Sequence, residues 1–265
     1  MRLVFGEKDT PYEEARVVVL PVPYDLSLSF LPGARRGPEA ILLASRELEP
    51  FLLELGAAPE EVGIHAAEPV PWVAGMAEES HRLIREEALR HLRAGKWVVA
   101  LGGDHSVTHP LVQAHREALG DFSLLHVDAH ADLYPEWQGS VYSHASPFYR
   151  LLTEGFPLVQ VGIRAMDRDS LRLARKKGVA LFPAHRIHRE GLPLDEILRP
   201  WGSGSTSAWT LTPWTPPSCP AWARPFPGGF PTARWWTSSR PSSARRRWWG
   251  WTSWSSPRTA SSTPR

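Results

Sequence analysis

Apolar runs alternate with amphipathic stretches along the first 199 residues of this 265-residue chain. Short apolar runs predict buried strands, and apolar residues spaced three or four apart predict helices. The predicted strands are Arg16–Leu20, Trp97–Leu101, Phe122–Val127, Leu158–Val161 and Val179–Phe182; the predicted helices are Pro38–Leu55, Ala77–Ala94, Pro110–Leu119 and Arg168–Lys177. This alternation predicts a single α/β domain, with a parallel sheet covered by helices on both faces.

Two polar clusters directly follow predicted strands, where sites in such sheets lie. One is Gly-Gly-Asp-His-Ser (102–106) and the other is Asp-Ala-His-Ala-Asp (128–132). Side chains alternate along an extended segment, so Asp128, His130 and Asp132 are expected to point the same way. Joined by His105, they predict a metal site. Mixed carboxylate and imidazole ligands favour a divalent ion such as Mn²⁺, and a chain with one cysteine cannot build a thiolate site.

Neighbouring polar residues have structural explanations. Asp104 is expected to cap a turn or to accept hydrogen bonds. His126 lies inside an apolar run, so it is expected to belong to the core or to orient a carboxylate.

Four motifs resemble those of the ureohydrolase family, the arginases and agmatinases. They are GGDHS, LLHVDAHADLY, SHASPF and PVPYDLSLSFLPGARRGPEAIL, and the resemblance covers about residues 15–199 and is agmatinase-like. It implies a centre of two Mn²⁺ ions. His105 and Asp132 would bind one ion, His130 the other, and Asp128 both; His144 would handle substrate and transfer protons. Ala145 stands where the family often has glycine.

The resemblance implies hydrolysis of a small guanidino compound to urea and an amine, in a homo-oligomer, either a trimer or a hexamer. Agmatine, which gives putrescine, is the first substrate expected. Arginine, guanidinobutyrate, formiminoglutamate and guanidino-polyamines remain open. Two other function classes also remain: a metal-binding relative without catalysis, and a Zn²⁺-dependent amide hydrolase such as a deacetylase.

The composition changes abruptly at about residue 200, which predicts a division into a ureohydrolase-like domain (1–199) and an aberrant tail (200–265). Residues 201–265 hold ten of the thirteen tryptophans and eight arginines, and no acidic residue follows Glu196. The family requires two further aspartates there, in a segment resembling S-L-D-x-D-x-x-D-P. The chain as written therefore lacks two expected metal ligands.

A shifted reading frame explains the tail. With suitable codons, Trp209–Pro216 read one base earlier becomes Leu-Asp-Pro-Asp-Ala-Leu-Asp-Pro, the missing motif. Two later segments, 223–229 and 249–256, become family-like in the same frame. The hypothesis is a frameshift by one lost base near codons 198–202. The alternative is a genuine Arg/Trp-rich extension that binds single-stranded nucleic acid or a membrane surface, which its irregular spacing and dense prolines disfavour.

The distribution of charge and the absence of a long apolar run favour a cytoplasmic enzyme. Residues 1–200 carry a net charge of −6 and the tail carries +8, so the domain itself offers no electrostatic case for nucleic acid. The sequence has no run of about eighteen apolar residues, and a membrane partner is therefore not expected. A single cysteine agrees with a reducing compartment.

Overall fold

The computed structural model describes residues 5–6, 8–27, 29, 31–49, 51–199, 207–211 and 248–249. Strands and helices alternate along this part of the chain, with a few short 3₁₀ turns between them. The strands are β1 Val17–Val22, β2 Ile64–Ala66, β3 Trp97–Gly102, β4 Ser123–Val127, β5 Leu158–Ile163, β6 Ala180–Pro183, β7 Ser207–Leu211 and β8 Trp248–Trp249. The helices are α1 Gly37–Ala44, α2 Ala77–Arg93, α3 Thr108–Leu119, α4 Pro147–Thr153, α5 Arg168–Lys176, α6 Ala184–Glu190 and α7 Leu194–Leu198.

The strands form two sheets, and every pairing between the described strands is parallel. The first sheet has the order β2-β1-β3, and the second has the order β6-β5-β4-β7-β8. The predicted parallel α/β architecture is confirmed. The loops that carry both polar clusters leave the carboxyl ends of β3 and β4.

Helices cover both faces of the sheets, as the alternation of side chains along single strands shows. In β1, Val18 packs with residues of α2 and α3, whereas Val19 packs with Leu42 of α1. In β4, Leu124 joins the larger core, whereas Leu125 packs with Ile187 of α6. Each of these four strand residues is at most 3% exposed. The two-sided burial explains why these strands read as continuous apolar runs.

The prediction for the first helix is wrong in length. The helix was expected to run to Leu55, but α1 ends at Ala44 and is followed by a 3₁₀ turn at Ser45–Glu47. Leu48 is already extended, with ψ 136°. Pro50 rules out a continuation of the helix to Leu55, because a proline disfavours helical geometry at the residue before it and offers no N–H to the helix. The spacing of apolar residues alone does not show where this helix ends.

The other predicted elements are observed to within two residues. Gly95 and Gly120, which follow α2 and α3, have φ angles of +73° and +83°, and glycine is the residue that adopts this backbone geometry most readily. Within the described residues, none of the helices combines the length and the apolar character needed to cross a bilayer.

Candidate metal centre

The loop after β3 is pressed against the loop after β1, and Gly103 makes this approach possible. A Cβ at Gly103 would lie 2.0 Å from the carbonyl oxygen of Tyr24. The next amide, that of Asp104, donates to the same oxygen at 2.7 Å. The absence of a side chain therefore lets the two loops bond through their backbones and sets the direction in which His105 leaves β3.

Four side chains converge beyond the carboxyl ends of β3 and β4. Their possible ligand atoms all lie within 4.8 Å of one another; the residues are His105, His126, Asp128 and Asp132. His105 Nδ1 lies 2.8 Å from Asp132 Oδ2 and 3.5 Å from Asp128 Oδ2. Apart from Asp132, which is partly exposed, the group is buried. Buried carboxylates and imidazoles in such proximity form a donor set that fits a divalent cation such as Mn²⁺.

The electrostatics of the group favour the binding of a cation. Burial raises the pKa of Asp128, but hydrogen bonds from His126 and His130 and the neighbouring imidazoles outweigh it, and the pKa is held well below 3.8. Burial lowers the pKa of His105, but the hydrogen bond to Asp132 and the nearby carboxylates outweigh it and raise the pKa above 6.5. The site therefore favours the ionised form of the buried Asp128 carboxylate, which attracts cations.

His130 does not converge as its spacing predicts. It is exposed and lies outside the group of four, although its Nδ1 is 3.5 Å from Asp128 Oδ1. The expected extended segment is not formed, because β4 ends at Val127 and Asp132 has a φ of +49°. Asp128 nevertheless faces both sides: Oδ1 lies towards His130 and Oδ2 towards His105.

His126 is brought into the group, although sequence reasoning placed it in the core or beside a carboxylate. Its Nε2 lies 3.4 Å from Asp128 Oδ2, and its ring stacks on Phe148 with centroids 3.7 Å apart. The residue is completely buried, so it also belongs to the core. Its two-residue spacing from Asp128 was the signal in the sequence.

His144 is held by two serines of the loop after β1. The Oγ of Ser29 lies 2.8 Å from His144 Nε2, and the backbone N–H of His144 donates to Ser27 Oγ at 2.8 Å. Ser27 in turn donates through its hydroxyl and its amide to Asp104 Oδ2, at 3.0 and 3.1 Å. One chain of hydrogen bonds thus joins the loop of His144 to the residue that precedes His105.

Sequence reasoning missed the two serines. Their signal was the alternation in Leu-Ser-Leu-Ser (26–29), because alternate residues of an extended segment point to the same side. Asp104 acts as expected, since it also accepts from the amide and hydroxyl of Ser106. The backbone at position 145 does not require glycine, because among the described non-glycine residues only Asp132 and Gln138 have a positive φ.

The arginase family model matches residues 15–211. The chain belongs to the arginase family. It is thus an agmatinase-like ureohydrolase by descent, and the match favours this class over the zinc-dependent deacetylase. The matched range begins where the motif resemblance begins and extends through β7.

Two relatives illustrate the similarity in sequence. The chain is 90% identical over 230 residues to an N(1)-aminopropylagmatine ureohydrolase of Thermus thermophilus, and the alignment covers 87% of this chain and 78% of that protein. It is 32% identical over 197 residues to an agmatinase of Bacillus anthracis, covering 74% of this chain and 67% of that protein.

Two solved structures share the fold. Agmatine ureohydrolase of Thermoplasma volcanium matches with a TM-score of 0.74 and 21% identity, covering 96% of this chain and 86% of that chain. Formimidoylglutamase of Bacillus subtilis matches with a TM-score of 0.78 and 22% identity, covering 94% and 80%. At these identities the likeness is one of fold.

We expect Gly103→Ala to lower the free energy of unfolding by about 3 kcal/mol, because the new methyl group meets a backbone carbonyl that cannot move without displacing the loop of Tyr24. Gly139→Ala is the matched control. Gly139 has a φ of +75° and open space around it, so it should lose only the backbone strain of about 1–2 kcal/mol. Urea unfolding of both variants measures the difference, and equal losses would contradict the close-approach argument.

Proposed function

We propose that the intact form of this protein hydrolyses a guanidino group to urea and an amine at a manganese centre held by His105, Asp128, His130 and Asp132. The observation that carries the proposal is the close approach of His105, Asp128 and Asp132 at the ends of β3 and β4, beside which His130 Nδ1 lies 3.5 Å from Asp128 Oδ1. Manganese, when bound, supplies Lewis acidity and lowers the pKa of water towards neutrality. Asp128 is suited to bridge two ions because its two oxygens face opposite sides.

His144 would donate the proton that the leaving amine needs. A guanidinium carbon releases a poor leaving group, so the departing nitrogen has to be protonated as the bond breaks. Imidazole is the side chain whose ordinary titration range suits this transfer near neutral pH. Ser27 and Ser29 support the role because they fix the backbone and the ring of His144.

We expect Asp128→Asn to weaken Mn²⁺ binding by more than about 100-fold, because changes to residues that merely support a metal ligand already cost about 10–100-fold. Asp169→Asn is the control. The Asp169 side chain is 87% exposed and contacts Arg172, so binding should stay at the wild-type level. Mn²⁺ titration followed by electron paramagnetic resonance gives both affinities. Unchanged binding by Asp128→Asn would refute its assignment as a ligand.

The substrate that we place first is N(1)-aminopropylagmatine. Relatives at 90% and 87% identity, both from Thermus thermophilus, carry the name of that activity. Agmatine, the substrate first expected from the motifs, is the second candidate, since the agmatinases are more distant at about 32% identity.

Urea release separates the two substrates. We expect a repaired full-length enzyme to have a kcat/KM at least about 10-fold higher for N(1)-aminopropylagmatine than for agmatine, which corresponds to a difference of about 1.4 kcal/mol in the activation free energy. Arginine serves as the control substrate. A higher kcat/KM for agmatine would reverse our order, and release from neither compound would refute the proposed function.

The tail bears on whether this chain is active as written. We propose that residues after about 200 are encoded out of frame and that the domain of residues 1–199 is therefore incomplete. Strand β7 pairs in parallel with β4, with Thr210 opposite His126 and Leu211 opposite Val127. In the shifted frame the first two aspartate codons overlap those of Thr210 and Thr212. The first aspartate would then stand in the strand beside β4, opposite His126, which is two residues before Asp128.

The comparisons support this proposal. The family match ends at Leu211, where the aspartate motif would continue. The alignment with the relative at 90% identity covers 78% of that protein and leaves the remaining 22% outside. The second candidate function, a metal-binding relative without catalysis, applies if the tail is genuine, because no acidic residue follows Glu196 to complete the centre.

Resequencing of the gene across codons 195–265 tests the frame. We expect codons 209–216 to yield Leu-Asp-Pro-Asp-Ala-Leu-Asp-Pro one base earlier, and the family frame to resume once a lost base is restored. Codons 100–132 serve as the control and should read correctly without any shift. Codons at 209–216 that cannot encode aspartate would refute the frameshift and favour the non-catalytic relative.

A further inference from the structure

Gln160 is a fully buried polar residue beside the metal centre, and it lies in a strand that provides none of the proposed ligands. It lies in β5, which pairs with β4 so that Gln160 stands opposite His126. Its Nε2 is 2.7 Å from the carbonyl oxygen of Ala131 and 3.0 Å from His126 Nδ1. One side-chain nitrogen thus contacts the loop of the metal centre and the ring of a histidine.

The two contacts determine which partner donates. A carbonyl oxygen only accepts, so the Gln160 atom that faces Ala131 is the amide nitrogen, which only donates. The nitrogen has two hydrogens, one for Ala131 and one for His126. The Nδ1 of His126 must therefore accept, and the orientation of the amide follows from the carbonyl rather than from an arbitrary choice between its oxygen and nitrogen.

The proton of the neutral His126 ring is then on Nε2. This atom lies 3.4 Å from Asp128 Oδ2, and within the described residues it makes no hydrogen bond. Stacking on Phe148, with planes 16° apart, keeps the ring in this plane. An Nε2 that carries a proton has no lone pair for a metal ion, although distance alone would admit His126 to the ligand group.

We propose that Gln160 is a positioning residue that selects the Nε2–H tautomer of His126, so that His126 orients the Asp128 carboxylate and stays out of the coordination sphere. The proposal rests on the proposed function for the role of Asp128 as a ligand. It assigns His126 and His130 different tasks: His126 contacts the carboxylate from the core, and His130 is the histidine that would bind the metal ion.

The wild-type protein provides the first test, without any substitution. Two-bond ¹H–¹⁵N correlation spectra of ¹⁵N-histidine-labelled protein, prepared free of metal, distinguish the two tautomers. His126, assigned by its loss in His126→Gln, should show the Nε2–H form alone. The Nδ1–H form in the wild type would overturn the proposal.

Gln160→Met tests the cause, because methionine keeps the length of the side chain and removes the donor. We expect a mixture of His126 tautomers and Mn²⁺ binding about 10–100-fold weaker than in the wild type. Gln113→Met is the matched control, because Gln113 lies on α3 and donates to Glu154, away from the centre. If His126 keeps the pure Nε2–H form in Gln160→Met, the role of Gln160 is overturned. A loss of stability alone would not change the tautomer.

The two proposals fail in different ways. If the wild type shows the Nε2–H tautomer but the repaired full-length enzyme binds no Mn²⁺, the positioning by Gln160 stands and the manganese centre is refuted. If the repaired enzyme binds Mn²⁺ while His126 carries its proton on Nδ1, the centre stands and the positioning is refuted.

Discussion

The charge on Asp128 is the constraint around which the centre of this molecule is arranged. Its side chain is 3% exposed, and a buried carboxylate without compensation is disfavoured by several kcal/mol. His105, His126 and His130 approach it from three different positions along the chain, and its Oδ1 also accepts the backbone N–H of His130 at 2.8 Å. The loops after β3 and β4 are therefore held together by the need to satisfy one anion. A divalent cation would also stabilise this charge. The packing of the loops and the proposed metal binding therefore both depend on Asp128.

The histidine proposed for proton transfer depends on a second buried carboxylate. Burial raises the pKa of Asp104, while hydrogen bonds from Ser106 and Ser27 favour its charged form. Through Ser27 this residue fixes the backbone of His144, which is 117 positions away from that serine along the chain. Gly103 permits the arrangement because its backbone contacts Tyr24 directly. Hydrogen bonds to Ser27 and Ser29 therefore help to position the loop of His144.

The sequence predicted the regular elements well because their signals are local. Two-sided burial gives continuous apolar strands, and glycine after α2 and α3 marks where those helices end. The predicted length of α1 was wrong because the end of a helix is a backbone effect that apolar spacing does not contain. The direction of His130 depends on the bend after Val127 and on the left-handed backbone of Asp132, which no side-chain pattern encodes. The contact between Gln160 and His126 requires the register of two strands separated by 34 positions.

In the tail, the strand pairing of the fold is kept although the acidic side chains needed for metal binding are missing. The ladder between β4 and β7 is made of backbone hydrogen bonds, which do not depend on side-chain identity. A segment with altered side chains can therefore still occupy its place beside β4 and cover an edge that would otherwise be open. A metal ligand has no such tolerance, because an aspartate replaced by threonine loses its charge wherever the backbone lies. Likeness of fold consequently says little about activity in this chain. Activity would depend on the aspartates that the family frame places at the carboxyl end of β7, and the chain as written lacks them.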